Sequence, residues 1–185
     1  MNKQIVGFGC KHYQIAVYIA NKPPIEQYQQ LTALTPLITG ELTAIGQQCG
    51  NGWRKVFNVY AKLLYALDRQ QFNFSSLAPT WQQYRDNFLL QPHSNTALLF
   101  SAPIVTQSLK SLQKSNNKKA VHLIMGRTYA KSLLAQKRLV SELVWLNDEF
   151  AIDRAQRVIV CPYFDYRQLS NVKIEYLADL IKGLH

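Results

Sequence analysis

Acidic residues are scarce in this chain: 11 Asp and Glu stand against 21 Lys and Arg, a formal charge of +10 over 185 residues. Between Asp86 and Glu142 there is none, yet Lys110, Lys114, Lys118, Lys119, Arg127, Lys131, Lys137 and Arg138 all fall in that interval. One side of the folded protein is therefore expected to carry a positive field. Such a field suits a polyanion, most directly DNA, because each phosphate neutralised adds sequence-independent affinity. A basic surface that serves solubility alone is the competing reading.

Other absences narrow the class further. Cys10, Cys49 and Cys161 are odd in number and widely spaced, with no CxxC or Cys/His pattern, so neither a disulfide framework nor a zinc site is expected. No apolar run approaches the roughly 20 residues that span a bilayer. The opening MNKQIVGFGCKHYQ lacks both an apolar signal core and a small-residue cleavage site, which points to a cytoplasmic protein with no membrane partner. There is no GxxxxGK[ST] loop, GxSxG elbow or HExxH helix, and Gly7-Phe8-Gly9 precedes its strand where a dinucleotide fingerprint would follow one. No metal or cofactor is expected. His122 sits within a strand and reads as a packed core group in preference to a ligand or base.

What is present is an alternation of strands and helices over one domain, residues 1–185. IAVYIA (15–20), TALLFS (96–101), VHLIM (121–125) and RVIVC (157–161) read as compact buried strands, with a further short strand at 141–146. Helices are expected over 25–34, from Pro36 to 48, over 53–67, from 79 or 80 to 88, over 104–114, after Gly126, and after the plausible N-cap Ser170. In the 53–67 helix, Trp53, Val56, Phe57, Tyr60, Leu63, Leu64 and Leu67 share one face, a stripe that belongs in a core. Strands separated by crossover-length helices predict an α/β fold, a three-layer α/β/α sandwich around a mostly parallel central sheet.

In such a sheet, ligands bind beyond the carboxyl ends of the strands. The candidate pocket is therefore Asn21 and Lys22 after the first strand, Ser101 after the second, Gly126 and Arg127 after the third, and Cys161 and Tyr163 at the last. AVHLIMGRTYAKSLL (120–134) marks its centre, because Gly126 lets a strand pivot directly into a helix whose first N–H groups face the strand end. Phe164, Asp165, Tyr166 and Arg167 put aromatic faces, a carboxylate and a guanidinium in one loop, a composition suited to stacking on a base and holding a phosphate. A structural corner with a buried Tyr and an Asp–Arg pair is the alternative.

Several of these segments resemble the uracil-DNA glycosylase superfamily, especially its mismatch-specific uracil/thymine branch. LIMGRTYAKS (123–132) is similar to that branch's strand-Gly-helix segment, and VIVCPYFDYRQLSNVKIEYLADLIKGL (158–184) to its last strand, minor-groove loop and closing helix. Gly50-Asn51-Gly52-Trp53 is similar to the branch's Gly-Asn-Arg-Phe-Trp stretch, and residues 15–23 to its first strand and Gly-Ile-Asn-Pro loop. The resemblance implies a glycosylase-like α/β domain of a divergent bacterial family that binds DNA or a nucleobase at the strand ends. It also implies that the standard catalytic residues are missing. Lys22 stands where the branch has a water-positioning carboxamide or carboxylate, and Cys161 where it has His or Asn before Pro. Asn21 is one residue early, and strand alternation would point it elsewhere. If the chain is an enzyme, the implied activity is an N-glycosylase on damaged or mismatched bases, and a Lys22 amine nucleophile is one way to alter it. The alternative is a small-molecule-binding or protein-interaction module that keeps the fold without DNA.

Overall fold

The computed structural model describes residues 4–104 and 120–184. In chain order the strands are β1 (Gly7–Gly9), β2 (Ile15–Tyr18), β3 (Leu34–Thr35), β4 (Thr96–Leu99), β5 (Val121–Met125), β6 (Val144–Trp145), β7 (Ala151–Asp153) and β8 (Val158–Cys161). The helices are α1 (Glu26–Gln29), α2 (Glu41–Gln48), α3 (Asn51–Ala66), α4 (Trp81–Asn87), α5 (Arg127–Ala135) and α6 (Asn171–Lys182). The helix expected over 104–114 and the turn after it lie outside the described residues, apart from Ile104 at the start.

All eight strands join one sheet in the order β3-β1-β4-β2-β5-β8-β7-β6. Its centre, β4-β2-β5-β8, is parallel throughout. Its margins are not: β1 runs antiparallel to β4, and β7 antiparallel to both β8 and β6. The sheet is therefore mixed, which corrects the mostly parallel sheet expected from the sequence. The difference rests on two strands the pattern did not show. β7 has only three residues, too few to declare a period. β1 has glycine at both ends, a residue that ordinarily weakens a strand. Here a Cβ on Gly7 would collide with the carbonyl of Leu98, and one on Gly9, at φ +115°, with that of Thr96. The glycines let the β1 backbone close onto β4 and are no phosphate-binding loop.

Alternation along the central strands sorts their side chains into two cores. Ile15, Val17, Leu98, Val121, Leu123, Met125, Ile159 and Cys161 face α3 and α6, meeting Val56, Phe57, Tyr60 and Leu64 of one and Ile174, Leu177 and Ile181 of the other. Ala16, Tyr18, Ala97, Leu99, Ile124, Val158 and Val160 face Ala130 and Leu133 of α5. These are the three layers of an α/β/α domain. The aromatic stripe of α3 is core: Tyr60 is fully buried, and its hydroxyl donates to the carbonyls of Ile15 (3.2 Å) and Ala97 (3.0 Å).

Residues 25–48 fold differently from the pattern. The helix expected over 25–34 stops after one turn, and the one expected from Pro36 starts at Glu41. A residue before proline avoids the helical region, so Thr35 stays extended, and Leu34–Thr35 pairs with β1 as an edge strand.

His122 occupies the α5 face of β5, with Nδ1 2.7 Å from the Tyr18 hydroxyl and its ring packed against those of Tyr18 and Tyr13. Burial, helped by the positive charge of Arg157, lowers its pKa from 6.5 to about 4. The unfolded chain thus takes up this proton near pH 6.5 while the folded one refuses it until about pH 4. Stability should fall as pH is lowered through that window, by roughly 3 kcal/mol for this group. Urea denaturation between pH 7 and 4 checks this, with a flatter profile expected in His122→Gln.

Candidate functional site

The register of β2, β5 and β8 brings their carboxyl ends level, with Tyr18 beside Ile124 and Met125 beside Cys161. Beyond them opens a cleft of about 610 Å³. Gly126 makes the opening by changing the chain's direction in one residue. Its φ of +93° disfavours any side chain, its N–H donates to the carbonyl of Cys161 at 2.8 Å, and α5 begins at the next residue. No atom lies within 4 Å of where its Cβ would be, so the requirement for glycine is one of backbone conformation.

Four of the expected pocket residues line this cleft: Asn21, Gly126, Arg127 and Tyr163. Ile19, Met125, Pro162 and Tyr129 give it apolar walls, and Thr128, Ser132 and Gln168 add neutral polar groups. Asn21 is exposed, and alternation does not govern it because β2 ends at Tyr18 and the chain turns. Burial, with the charge of Asp165, pushes the Tyr163 phenol above its ordinary pKa, so it enters as a neutral hydroxyl.

The other three are placed elsewhere. Lys22 extends Nζ to the carbonyls of Gln29 (2.9 Å) and Leu31 (3.0 Å), satisfying the end of the short α1 helix. Ser101 Oγ accepts from the Val6 N–H at 3.2 Å, closing the β1–β4 margin. Cys161 is fully buried on the α3 and α6 side, and its thiol is pushed well up by loss of solvent.

The 164–167 loop divides in the same way. Phe164 is fully buried, its ring edge-on to Tyr60 with centroids 5.8 Å apart, so it cannot serve as a stacking platform. Asp165 accepts from Lys55 Nζ (2.9 Å) and the Arg167 N–H (3.0 Å), both of which hold its carboxyl below the usual range. That makes it a structural corner. Tyr166 and Arg167 are exposed, Tyr166 lying under the Lys55 ammonium at 4.8 Å.

Two lining residues come from a part of the chain the sequence did not connect to the site. Asp148 and Glu149 lie in the turn between β6 and β7, which the antiparallel margin folds toward the cleft mouth. Asp148 accepts from Arg127 through its carbonyl (3.0 Å) and Oδ1 (3.1 Å), while Arg127 also rests 5.1 Å from the Trp145 ring. Glu149 pairs with Lys173 at 2.7 Å. Among the described residues the lining thus holds one cation and two carboxylates. Of the basic stretch, Lys110, Lys114, Lys118 and Lys119 lie outside the described residues. Lys131 lies 5.8 Å from the Trp145 ring that Arg127 also meets, whereas Lys137 and Arg138 follow the far end of α5. Among the described residues no cluster of three His, Cys, Asp or Glu could hold a metal ion, and no helix is long and apolar enough to cross a membrane.

Gly126→Ala should cost about 1–3 kcal/mol through backbone strain, read as a lowered urea midpoint. Lys22→Met should lose about 1–2 kcal/mol with its two bonds to carbonyls. Amide chemical shifts of the cleft residues distant in sequence, 126–132 and 163, should stay unchanged in that variant, which separates a structural lysine from a pocket one.

No curated protein and no solved structure matches the chain. The model of one protein family, described as a family of unknown function (DUF6942), matches residues 6–182, and the chain belongs to that family.

Proposed function

We propose that the strand-end cleft binds a small, flat, uncharged ligand of nucleobase or nucleoside size, and that the protein is a binding module without base-excision activity. The observation that carries this reading is the lining itself. Aromatic and apolar side chains of Tyr129, Tyr163, Pro162 and Met125 share the lining with neutral donors and acceptors at Asn21, Thr128, Ser132 and Gln168. A cleft of this volume lies within the range of small-molecule sites. The one guanidinium is already paired with Asp148, so a ligand's charge has little unmatched partner there.

The uracil-DNA glycosylase resemblance supports the same ligand class, since the loops it singled out after β2, β5 and β8 are the ones around this cleft. Chemistry of that kind needs a group to orient water at the first loop. Lys22, at that position, is engaged with backbone carbonyls outside the cleft, which argues against both a water-orienting group and an amine nucleophile there. Among the described residues, the exposed groups beside the cleft that duplex DNA could meet include Tyr166, Arg167 and Lys131.

Titration with uracil, thymine, hypoxanthine and their nucleosides, followed by calorimetry and amide shifts, tests the proposal. Saturable binding that perturbs residues 126–132 and 163 is expected, weakened about five- to tenfold in Asn21→Ala for one lost hydrogen bond. No binding at millimolar ligand, or salt-dependent binding of duplex DNA that Asn21→Ala leaves unchanged, would overturn it.

A further inference from the structure

A second cavity, of about 370 Å³, lies among α2, the first two turns of α3, and α4, and its lining differs from that of the cleft in charge. Arg54 and Arg85 both line it, together with Gln47, Asn51, Asn58 and Thr43, and no carboxylate does. Arg85 is held in place. Its Nη1 donates to Asn58 Oδ1, its Nε and Nη2 pair with Asp86, and its guanidinium lies 5.7 Å from the Trp81 ring. With that oxygen occupied, the Asn58 carboxamide has its NH₂ left to donate.

Arg54 is different. Its side chain makes no hydrogen bond or ion pair among the described residues, although its stem packs against α2 so closely that a Cβ on Gly46 would approach Arg54 Cβ to 3.4 Å. Among the described residues, a packed stem thus carries a guanidinium without a protein partner at the wall of a cavity that no carboxylate lines. No side chain caps α3 and its first turn contains no acidic residue, so the local field adds to the same sign.

We propose that this cavity is a binding site for the phosphoryl group of a small phosphorylated molecule. Arg54 is its charged donor, the Asn58 NH₂ adds a neutral one, and Arg85, itself paired with Asp86, holds the Asn58 carboxamide in place behind them. A planar guanidinium with flanking amide donors matches the oxygens of a phosphate, whereas an uncharged ligand would leave these donors in excess. The site is separate from the strand-end cleft, and it stands or falls independently of the ligand proposed there.

The test uses the full chain at constant ionic strength, titrated with inorganic phosphate, pyrophosphate and AMP, with chloride as the control anion. Saturable shifts are expected at the Arg54 side chain, the Asn58 carboxamide and the amides of residues 50–54, with at least a tenfold loss of affinity in Arg54→Gln. Arg54 is exposed, so that variant should keep its urea midpoint; Thr43→Ala serves as a second probe expected to weaken binding more mildly. Equal affinity in Arg54→Gln, shifts spread over lysines and arginines across the surface, or a response to chloride of the same size would overturn the proposal. So would binding of a short oligonucleotide alone among phosphate-bearing probes.

Discussion

Complete burial of β5 is the constraint on which this structure depends. All five of its residues are shielded from solvent, hydrogen-bonded to β2 on one side and β8 on the other. A strand in that position needs apolar cover on both faces, since each unsatisfied surface would leave apolar groups in water. The cover comes from α3 and α6 on the side of Val121, Leu123 and Met125, and from α5 on the side of Ile124. His122 is the one polar group admitted to this strand's faces, accommodated by Tyr18 and kept neutral by the same burial.

The parallel centre also fixes where chemistry can happen. Three strands ending level leave three loops at one edge, and Gly126 turns the middle one sharply enough to leave a cleft in place of a crossover segment lying over the strand ends. The antiparallel margins then shape what the centre created. The β6–β7 turn carries Asp148 and Glu149 to the mouth, and Asp148 takes up the charge of Arg127. That ion pair is exposed and contributes little stability. Its effect is on character, since it gives Arg127 a partner of opposite sign at the cleft mouth.

Two cavities with different charged linings follow from this arrangement. Among the described residues, the strand-end cleft has aromatic walls, neutral polar groups, one guanidinium and two carboxylates, while the space among α2, α3 and α4 is lined by two guanidinium groups, one of them paired with Asp86, and by no carboxylate. Both draw on α3 indirectly or directly. Its buried face anchors the sheet through Tyr60, its Lys55 holds Asp165 below the Tyr163 wall of the cleft, and its Arg54 lines the other cavity.

The sequence by itself determined the elements whose neighbours along the chain are enough to specify them. The apolar runs at 15–18, 121–125 and 158–161 could only be buried strands, the stripe from Val56 to Leu64 could only face a core, and Gly126 after an apolar run marked the strand-to-helix turn at the cleft. Tertiary structure decided what depends on partners distant in the chain. Gly7-Phe8-Gly9 becomes a strand only because β4 passes close enough to require glycine. Asn21 enters the cleft and Lys22 leaves it because the carbonyls at the end of α1 draw the ammonium away, a contact strand alternation cannot foresee. Phe164 is drawn into the core by Tyr60, and Asp148 reaches Arg127 across 21 residues of sequence. Periodicity records which side of an element is buried, but the direction of a loop side chain is set by whichever long-range partner best satisfies it.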